Sequence, residues 1–311
     1  MKYKIFIIIV SYNGMKWLSK CLESISLYSV IVVDNNSTDG TVDFIKTNYP
    51  DLKLLEQNEN LGFGKANNMG ISQALREGAD YVFLLNQDAY LQENCLVKLL
   101  QVHQKNEKYG ILSPVHLNGT GTRLDANFSH YVNCFGNIDF YSDYVLHKSI
   151  KQIYTVPFVN AAGWLISRKC LETVGGFDPM FFHYGEDDNY CHRLKYHGFK
   201  IGVVPDAKLL HDRENRSSQE IVFGDKKYFQ AIERQLKLKY GDVNKSWDSE
   251  LDNLISKRKY AWLKTIVKMD FKRASFFRKE YLMLRRLKTE ILLSRETNRL
   301  PGLNYLKFKD Q

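Results

Sequence analysis

The chain has 311 residues, 44% hydrophobic and 13% aromatic, which suffices for one large α/β domain with appendages and a substantial core. The five cysteines (Cys21, Cys95, Cys134, Cys170, Cys191) show no CxxC spacing, which argues against a zinc site or a disulfide frame and for reduced thiols in a cytosolic protein. The net charge of +9 is uneven. Residues 225–311 hold 22 Lys and Arg against 11 Asp and Glu, and the first 224 residues hold 22 against 24, so a nucleic-acid role for the main domain is disfavoured.

Lys4 to Ser11 reads as a first strand, and its apolar run Ile5–Val10 is too short for a signal segment or a membrane span. Trp17 to Leu27 has helical spacing. Val30 to Val33 is a second strand, followed by the turn Asp34-Asn35-Asn36-Ser37-Thr38-Asp39-Gly40 and a helix over Val42 to Thr47. Leu52 to Glu56 is a third strand. The loop Asn60-Leu61-Gly62-Phe63-Gly64-Lys65 opens a helix from about Ala66 to Glu77. Tyr81 to Leu85 is an unbroken apolar run that leads into Asn86-Gln87-Asp88, which predicts a strand buried on both faces with Asp88 at its C-terminal edge. Ligands of open α/β sheets bind at that edge.

A helix over Asn94 to Gln104 and a strand over Gly110 to Val115 follow. Residues 116–155 show weak periodicity and read as a long surface excursion with room for an irregular hairpin. Val156 to Ser167 reads as a strand, Arg168 to Val174 and Glu186 to Tyr196 as helices, and Ile201 to Val204 and Ala207 to His211 as two short strands. From about Ser218 the pattern is helical and basic. The alternation of strands and helices predicts a parallel, doubly wound sheet with right-handed crossovers.

Five motifs stand in order: Ile9-Val10-Ser11-Tyr12-Asn13, Val33 to Gly40, Asn60 to Gly64, Leu85-Asn86-Gln87-Asp88 and Tyr184-Gly185-Glu186-Asp187. Together they resemble the inverting family 2 glycosyltransferases, rhamnosyltransferase-like branch, over residues 3–215. The resemblance implies an α/β GT-A fold, Rossmann-like, with a mostly parallel central sheet flanked by helices. The domain then covers residues 1–217, with a donor half (1–115) and an acceptor half (116–217), and residues 218–311 form a basic helical C-terminal extension. It also implies a nucleotide-sugar donor, a divalent cation (Mn or Mg) and a glycan or lipid-linked acceptor.

By the resemblance, Asp34 and Asn35 hold the donor base, with Ser11 and Tyr12 flanking it; a helix cap or an Asx turn is the plainer role for such residues. Gly62 and Gly64 allow close backbone approach to a ligand, Lys65 can meet phosphate or solvent, and Asn67 can reach the nucleoside. Asn86, a donor-binding residue by the resemblance, stands where family members often carry a first Asp, so Asp88 becomes the main metal carboxylate, with His211 as its partner by position. Asp187 is the catalytic base by resemblance, and Glu186 a sugar contact beside it. Three adjacent acids, Glu186, Asp187 and Asp188, raise one another's pKa and also suit a helix N-terminus. Arg193 either meets a phosphate or pairs with Asp187. Trp164 either stacks on a sugar or packs in the core, while Phe182 and Asp188 line the acceptor side.

The tail mixes aromatics with bases, in Lys257 to Lys264 and Phe271 to Lys279. Two roles stand for it: a helix on anionic lipid, or a packing helix in a homo-oligomer. A lipid-linked acceptor favours a cytoplasmic enzyme peripheral on the inner membrane face. Two rival functions are a nucleotidyltransferase and a degenerate sugar- or partner-binding module. The first lacks its Gly-rich basic loop after strand one, and the intact acids argue against the second.

Overall fold

A computed structural model describes residues 3–133, 135–213, 222–247 and 249–307. Cys134 and the expected domain boundary at 217 lie outside the described residues. The first unit spans residues 1–216 together with 301–311, and the second spans 217–300.

In chain order the first unit begins β1 (Ile5–Ser11), α1 (Leu18–Glu23), β2 (Ser29–Asp34), α2 (Thr41–Asn48), β3 (Lys53–Glu56), α3 (Phe63–Arg76) and β4 (Tyr81–Asn86). It continues with β5 (Ala89–Leu91), α4 (Cys95–Lys105), β6 (Tyr109–Asn118), α5 (Ala126–Val132), α6 (Ile138–Val145) and β7 (Tyr154–Val156). Last come β8 (Gly163–Ser167), α7 (Arg168–Val174), α8 (Glu186–Tyr196) and β9 (Lys200–His211). Among the described residues nine strands form one sheet in the order β3-β2-β1-β4-β8-β6-β9-β5, and β7 also pairs with β9. β3, β2, β1 and β4 run parallel, while β8 runs antiparallel to β4 and β6, so the sheet is mixed. Along β1, Ile5, Ile7 and Ile9 enter one core cluster and Phe6 and Ile8 the other. A strand covered on both faces needs apolar residues at every position, which is why its run is unbroken.

Four expected elements differ. β4 stops at Asn86, whose N–H meets the Ala162 carbonyl; Gln87 and Asp88 turn, and β5 runs back antiparallel to β9. The expected strand over 156–167 is two strands with different neighbours, β7 on β9 and β8 on β4. Pro157 follows β7 directly and has no N–H for a ladder. The two short strands after 200 are one, β9, with residues 205–207 bulged out between the pairs Pro114–Val204 and Val115–Lys208. The 116–155 excursion opens with a short irregular hairpin, in which Leu117 bridges Leu124 in antiparallel fashion, and then holds two short helices that the sequence pattern does not show. Asp125 and Asn137 cap them, accepting from the N–H of Phe128 and of Phe140.

Residues 301–307 pack on the first unit. Gly302 N–H donates to the Thr173 carbonyl (2.9 Å), and Gly176 N–H to the Asn304 carbonyl (2.8 Å). The second unit holds α9 (Lys226–Gly241), α10 (Glu250–Val267) and α11 (Phe271–Arg299). Among the described residues no helix is long and apolar enough to cross a membrane.

Candidate active site

Three groups of polar residues gather at the C-terminal ends of the central strands and at the head of α8. The first surrounds Asp88. Ala89 pairs with His211 across β5 and β9, and Asp212 N–H donates to the Asp88 carbonyl (2.8 Å). This register brings His211 Nε2 to 3.5 Å from Asp88 Oδ1 and to 3.5 Å from Asn86 Nδ2. Asp88 and His211 are each 1% exposed. Asn86 Oδ1 is buried and has no hydrogen-bond partner among the described residues. A buried carboxylate after β4, the imidazole that ends β9 and a spare amide oxygen at the end of β4 make a donor set that suits a divalent cation. Among the described residues no group of three or more His, Cys, Asp or Glu stands together in metal-binding proximity.

Behind His211 stands a pair that went unnoticed in the sequence. Its Nδ1 lies 3.7 Å from Asp125 Oδ2, and Arg213 grips Asp125 through Nε (2.7 Å) and Nη2 (2.5 Å). Burial works against the Asp125 carboxylate, yet the Arg213 fork and the Phe128 N–H hold its pKa below the usual carboxylate range. His116, T-shaped against His211 at 6.1 Å, is kept neutral by burial and by the charges of His211 and Arg213. Asp125 lies in the 116–155 excursion, and its only signal in the sequence is that of a cap before a short helix.

The second group is formed by the loops after β1 and β2. Asp34 accepts from its own turn, from Ser37 N–H (2.9 Å) and Ser37 Oγ (2.5 Å), and is buried. Asn35 accepts from Leu61 N–H (2.8 Å) and donates to Asn60 Oδ1 (2.9 Å), which ties the 60–62 loop to β2. Ser11 is fully buried and donates to Gln87 Oε1 (3.2 Å), while Tyr12 keeps its ring exposed. Gln87 latches Tyr12 at both backbone atoms, accepting from its N–H (2.9 Å) and donating to its carbonyl (3.1 Å). No sequence signal marked Gln87 for this.

Gly62 and Gly64 make a close contact within the chain itself. Gly62 has φ +79°, and a Cβ there would lie 2.0 Å from the Phe182 carbonyl oxygen. A Cβ on Gly64 would lie 3.0 Å from the Phe177 Cβ and 3.5 Å from the Glu186 Cβ. The two glycines thus admit the 177–186 segment, and with it Glu186, against the N-terminus of α3. Asn68 fastens the same junction, accepting from Phe177 N–H (2.7 Å) and donating to its carbonyl (2.8 Å). Asn67 is buried, and its amide donates to the Phe63 carbonyl (3.0 Å). Lys65 is exposed. Gly62→Ala is expected to cost at least about 2 kcal/mol, because it adds a left-handed penalty to a backbone clash. Thermal unfolding checks this: a Tm within about 2 °C of the parent would show that the Phe182 contact yields easily.

The third group is the acid cluster at the head of α8. Gly185 (φ +93°) and Tyr184 (φ +67°) turn the chain in the left-handed region, and Glu186, Asp187 and Asp188 form the first turn. Glu186 is 4% exposed, while Asp187 and Asp188 keep part of their surface open. Burial, then the charges of Glu186 and Asp188, push the Asp187 carboxyl up to about 8, although it accepts from the Asp188 N–H (3.0 Å). Tyr131 of α5 has its hydroxyl pushed up by burial and then by Asp187, with Arg213 opposing and Asp125 and Asp188 adding. One side chain therefore feels both the acid cluster and the Asp125–Arg213 pair.

Two expected site residues lie elsewhere. Trp164 is fully buried, stacked on Phe177 with ring centroids 6.0 Å apart, so it has no face for a sugar. Arg193, also fully buried, meets neither phosphate nor Asp187. It donates to the carbonyls of Val174 (2.8 Å) and Gly176 (2.5 Å) and to Asn189 Oδ1 (3.0 Å), bracing the segment before the acid cluster. Phe182 stays exposed beside that cluster.

Among solved structures, the fold is similar to that of GalNAc-T7 with UDP, GalNAc and Mn2+, at a TM-score of 0.55 and 16% identity. The match covers 76% of this chain and 48% of that one, and it shows a shared GT-A fold. Among curated proteins, the chain is 28% identical over 239 residues to an N-acetylglucosaminyl-diphospho-decaprenol L-rhamnosyltransferase of Mycobacterium tuberculosis, covering 69% of this chain and 78% of the relative. It is 27% identical over 218 residues to the dTDP-rhamnosyl transferase RfbF of Shigella flexneri, covering 68% and 70%. The family model described as "Glycosyltransferase like family 2" matches residues 3–235, most of the chain. With a GT-A sheet, an acid cluster at the head of α8 and a cation-suited edge at Asp88, this chain belongs to the family 2 glycosyltransferases.

Proposed function

We propose that the chain transfers a sugar, with inversion, from a nucleotide-diphosphate donor to a hydroxyl of a cell-surface polysaccharide or lipid-linked glycan. The observation that carries this is Asp187: a carboxylate at the head of α8, with part of its surface open and its pKa raised to about 8. A carboxylate whose pKa is raised toward the working pH is a better-matched general base for a hydroxyl than one with an ordinary pKa. The acceptor hydroxyl gives its proton to Asp187 as its oxygen forms a bond to the anomeric carbon. The bond to the donor phosphate breaks on the opposite face, and the electron pair leaves with the nucleoside diphosphate. One displacement inverts the centre.

Asp88 and His211, with Asn86 Oδ1, would hold a Mn or Mg ion, which when bound offsets the charge gathering on the diphosphate. Asp125, itself clamped by Arg213, stands behind the His211 ring with Oδ2 3.7 Å from Nδ1, where its charge would favour a proton on that nitrogen and leave Nε2 for the ion. Ser11, Asp34 and Asn35 shape the base-binding loops by holding them in place, Tyr12 offers its exposed ring, and Gly62 and Gly64 set the distance between donor and acceptor halves. Glu186, Asp188 and Phe182 face the acceptor. A dTDP-rhamnose donor is the first choice, supported by the names of the curated relatives, and a UDP-hexose the second. The enzyme then works in the cytoplasm at the inner face of the membrane.

A nucleotidyltransferase is disfavoured by the loop after β1, where Tyr12, Asn13 and Gly14 are pinned to Gln87, Ser37 and Thr41 instead of cradling phosphate. The test is a screen of nucleotide sugars for donor hydrolysis and thermal shift, with Mn and with Mg. Hydrolysis of dTDP-rhamnose above all others is the expected result. No shift and no hydrolysis with any sugar donor would favour a non-catalytic module.

A further inference from the structure

α10 carries a stripe that no described residue of its own unit covers. Its inner side is occupied: Trp262 stacks on Tyr281 with centroids 5.7 Å apart, and Arg258 pairs with Glu280 at 3.0 Å. On the outer side Tyr260, Leu263 and Val267 follow one another at the i, i+3, i+7 spacing of a single face, with Ile266 beside them. Tyr260 is 66% exposed and Val267 83%. The turn into α11 extends the stripe, with Met269 74% and Phe271 67% exposed. In a water-soluble surface such a run of large apolar side chains needs a partner.

The charges around the stripe say which partner. Between residues 257 and 279 the chain has nine Lys and Arg and one acid, Asp270. Asp270 is itself engaged as the N-cap of α11, accepting from Arg273 N–H (3.1 Å). Lys257, Lys264 and Lys268 lie along the face next to the apolar stripe by helical spacing. Two copies meeting through this tip would bring their basic rims together with no acids to answer them. A surface that is apolar within and anionic at its boundary complements both features: the side chains enter the acyl boundary and the lysines meet headgroup phosphates.

We infer that the α10–α11 tip, residues 257–273, docks the enzyme on an anionic lipid bilayer. For its purpose the inference rests on the reading of a lipid-linked acceptor, but the contact is tested without sugar chemistry. The full chain is mixed with vesicles of phosphatidylcholine alone and of phosphatidylcholine with phosphatidylglycerol, and bound protein is measured by flotation. The chain should float with the phosphatidylglycerol vesicles and far less with phosphatidylcholine, and added salt should release it. Two variants follow: Leu263→Ser with Val267→Ser and Met269→Ser, and Lys264→Gln with Lys268→Gln and Lys272→Gln. Each should weaken partitioning at least about tenfold while donor hydrolysis in solution and Tm stay at parental values. All substituted positions are exposed, so folding is preserved. Failure of the parent chain to float, or flotation unchanged in both variants, overturns the inference. So does a dimer of the parent by light scattering that the serine variant converts to monomer. Hydrolysis without flotation would sink the docking surface and leave the glycosyltransferase reading standing.

Discussion

Asp187→Asn removes sugar transfer, lowering turnover by about 10² to 10⁴-fold, the usual worth of a general base. Donor binding stays within about twofold, because the side chain acts on the acceptor hydroxyl and not on the diphosphate. The pH profile carries the sharper signature. The base works only as carboxylate, and burial with two neighbouring acids raises its pKa to about 8. Parental kcat should therefore rise with pH and level off above about 8, and the residual activity of the variant should lack that step. The same group makes an opposite mark on stability. Its folded pKa lies above the unfolded value, so between these two the folded state binds the extra proton and stability falls as pH rises. Asparagine removes that cost. At pH above 8 the variant should melt higher than the parent by at least about 2 °C, roughly 1 kcal/mol for a unit of this size. An inactive variant that melts lower has lost its fold instead of its base. An active one means that another group takes the proton.

What was legible in the sequence follows from how each element is held. β1, β2 and β4 pack against the core clusters, so the stretches Ile5–Val10, Val30–Val33 and Tyr81–Leu85 are unbroken apolar runs that name the strands without help. α5 and α6 have seven and eight residues and depend on the caps Asp125 and Asn137, too little periodicity to be seen. The pairing of Asp88 with His211 joins residues 123 positions apart in the chain through the antiparallel β5–β9 contact, which no local pattern encodes. Gly62 was recognisable as a close approach; that the approaching group is the Phe182 carbonyl depends on tertiary packing alone. Trp164 shows the same limit from the other side. An aromatic residue next to a motif gives no sign of which way it faces, and β8 turns this one into the core. The acid cluster was legible as chemistry, yet its raised pKa comes first from burial, which sequence does not report.

Asp88→Asn is expected to lower transfer about 10³-fold, roughly 4 kcal/mol of barrier, and to change the protein's response to metal at the same time. The parent offers one buried carboxylate, one imidazole and the Asn86 amide oxygen, with no third His, Cys, Asp or Glu grouped with Asp88 and His211 among the described residues. Such a set leaves much of an octahedral Mn or Mg shell to water and phosphate. Titration of Mn into the protein alone should then show weak binding, in the millimolar range or beyond. With a nucleoside diphosphate present the same titration should tighten at least about 100-fold, and by reciprocity Mn should tighten the nucleotide by the same factor. Asp88→Asn should abolish that coupling while leaving the weak metal-free affinity for nucleotide nearly intact. His211→Ala should reduce the coupling and erase most preference for Mn over Mg, because the imidazole is the ligand that favours the softer ion. Tight Mn binding to the parent without nucleotide would reveal ligands beyond Asp88, His211 and Asn86. Equal coupling in parent and Asp88→Asn would move the cation away from this strand end altogether.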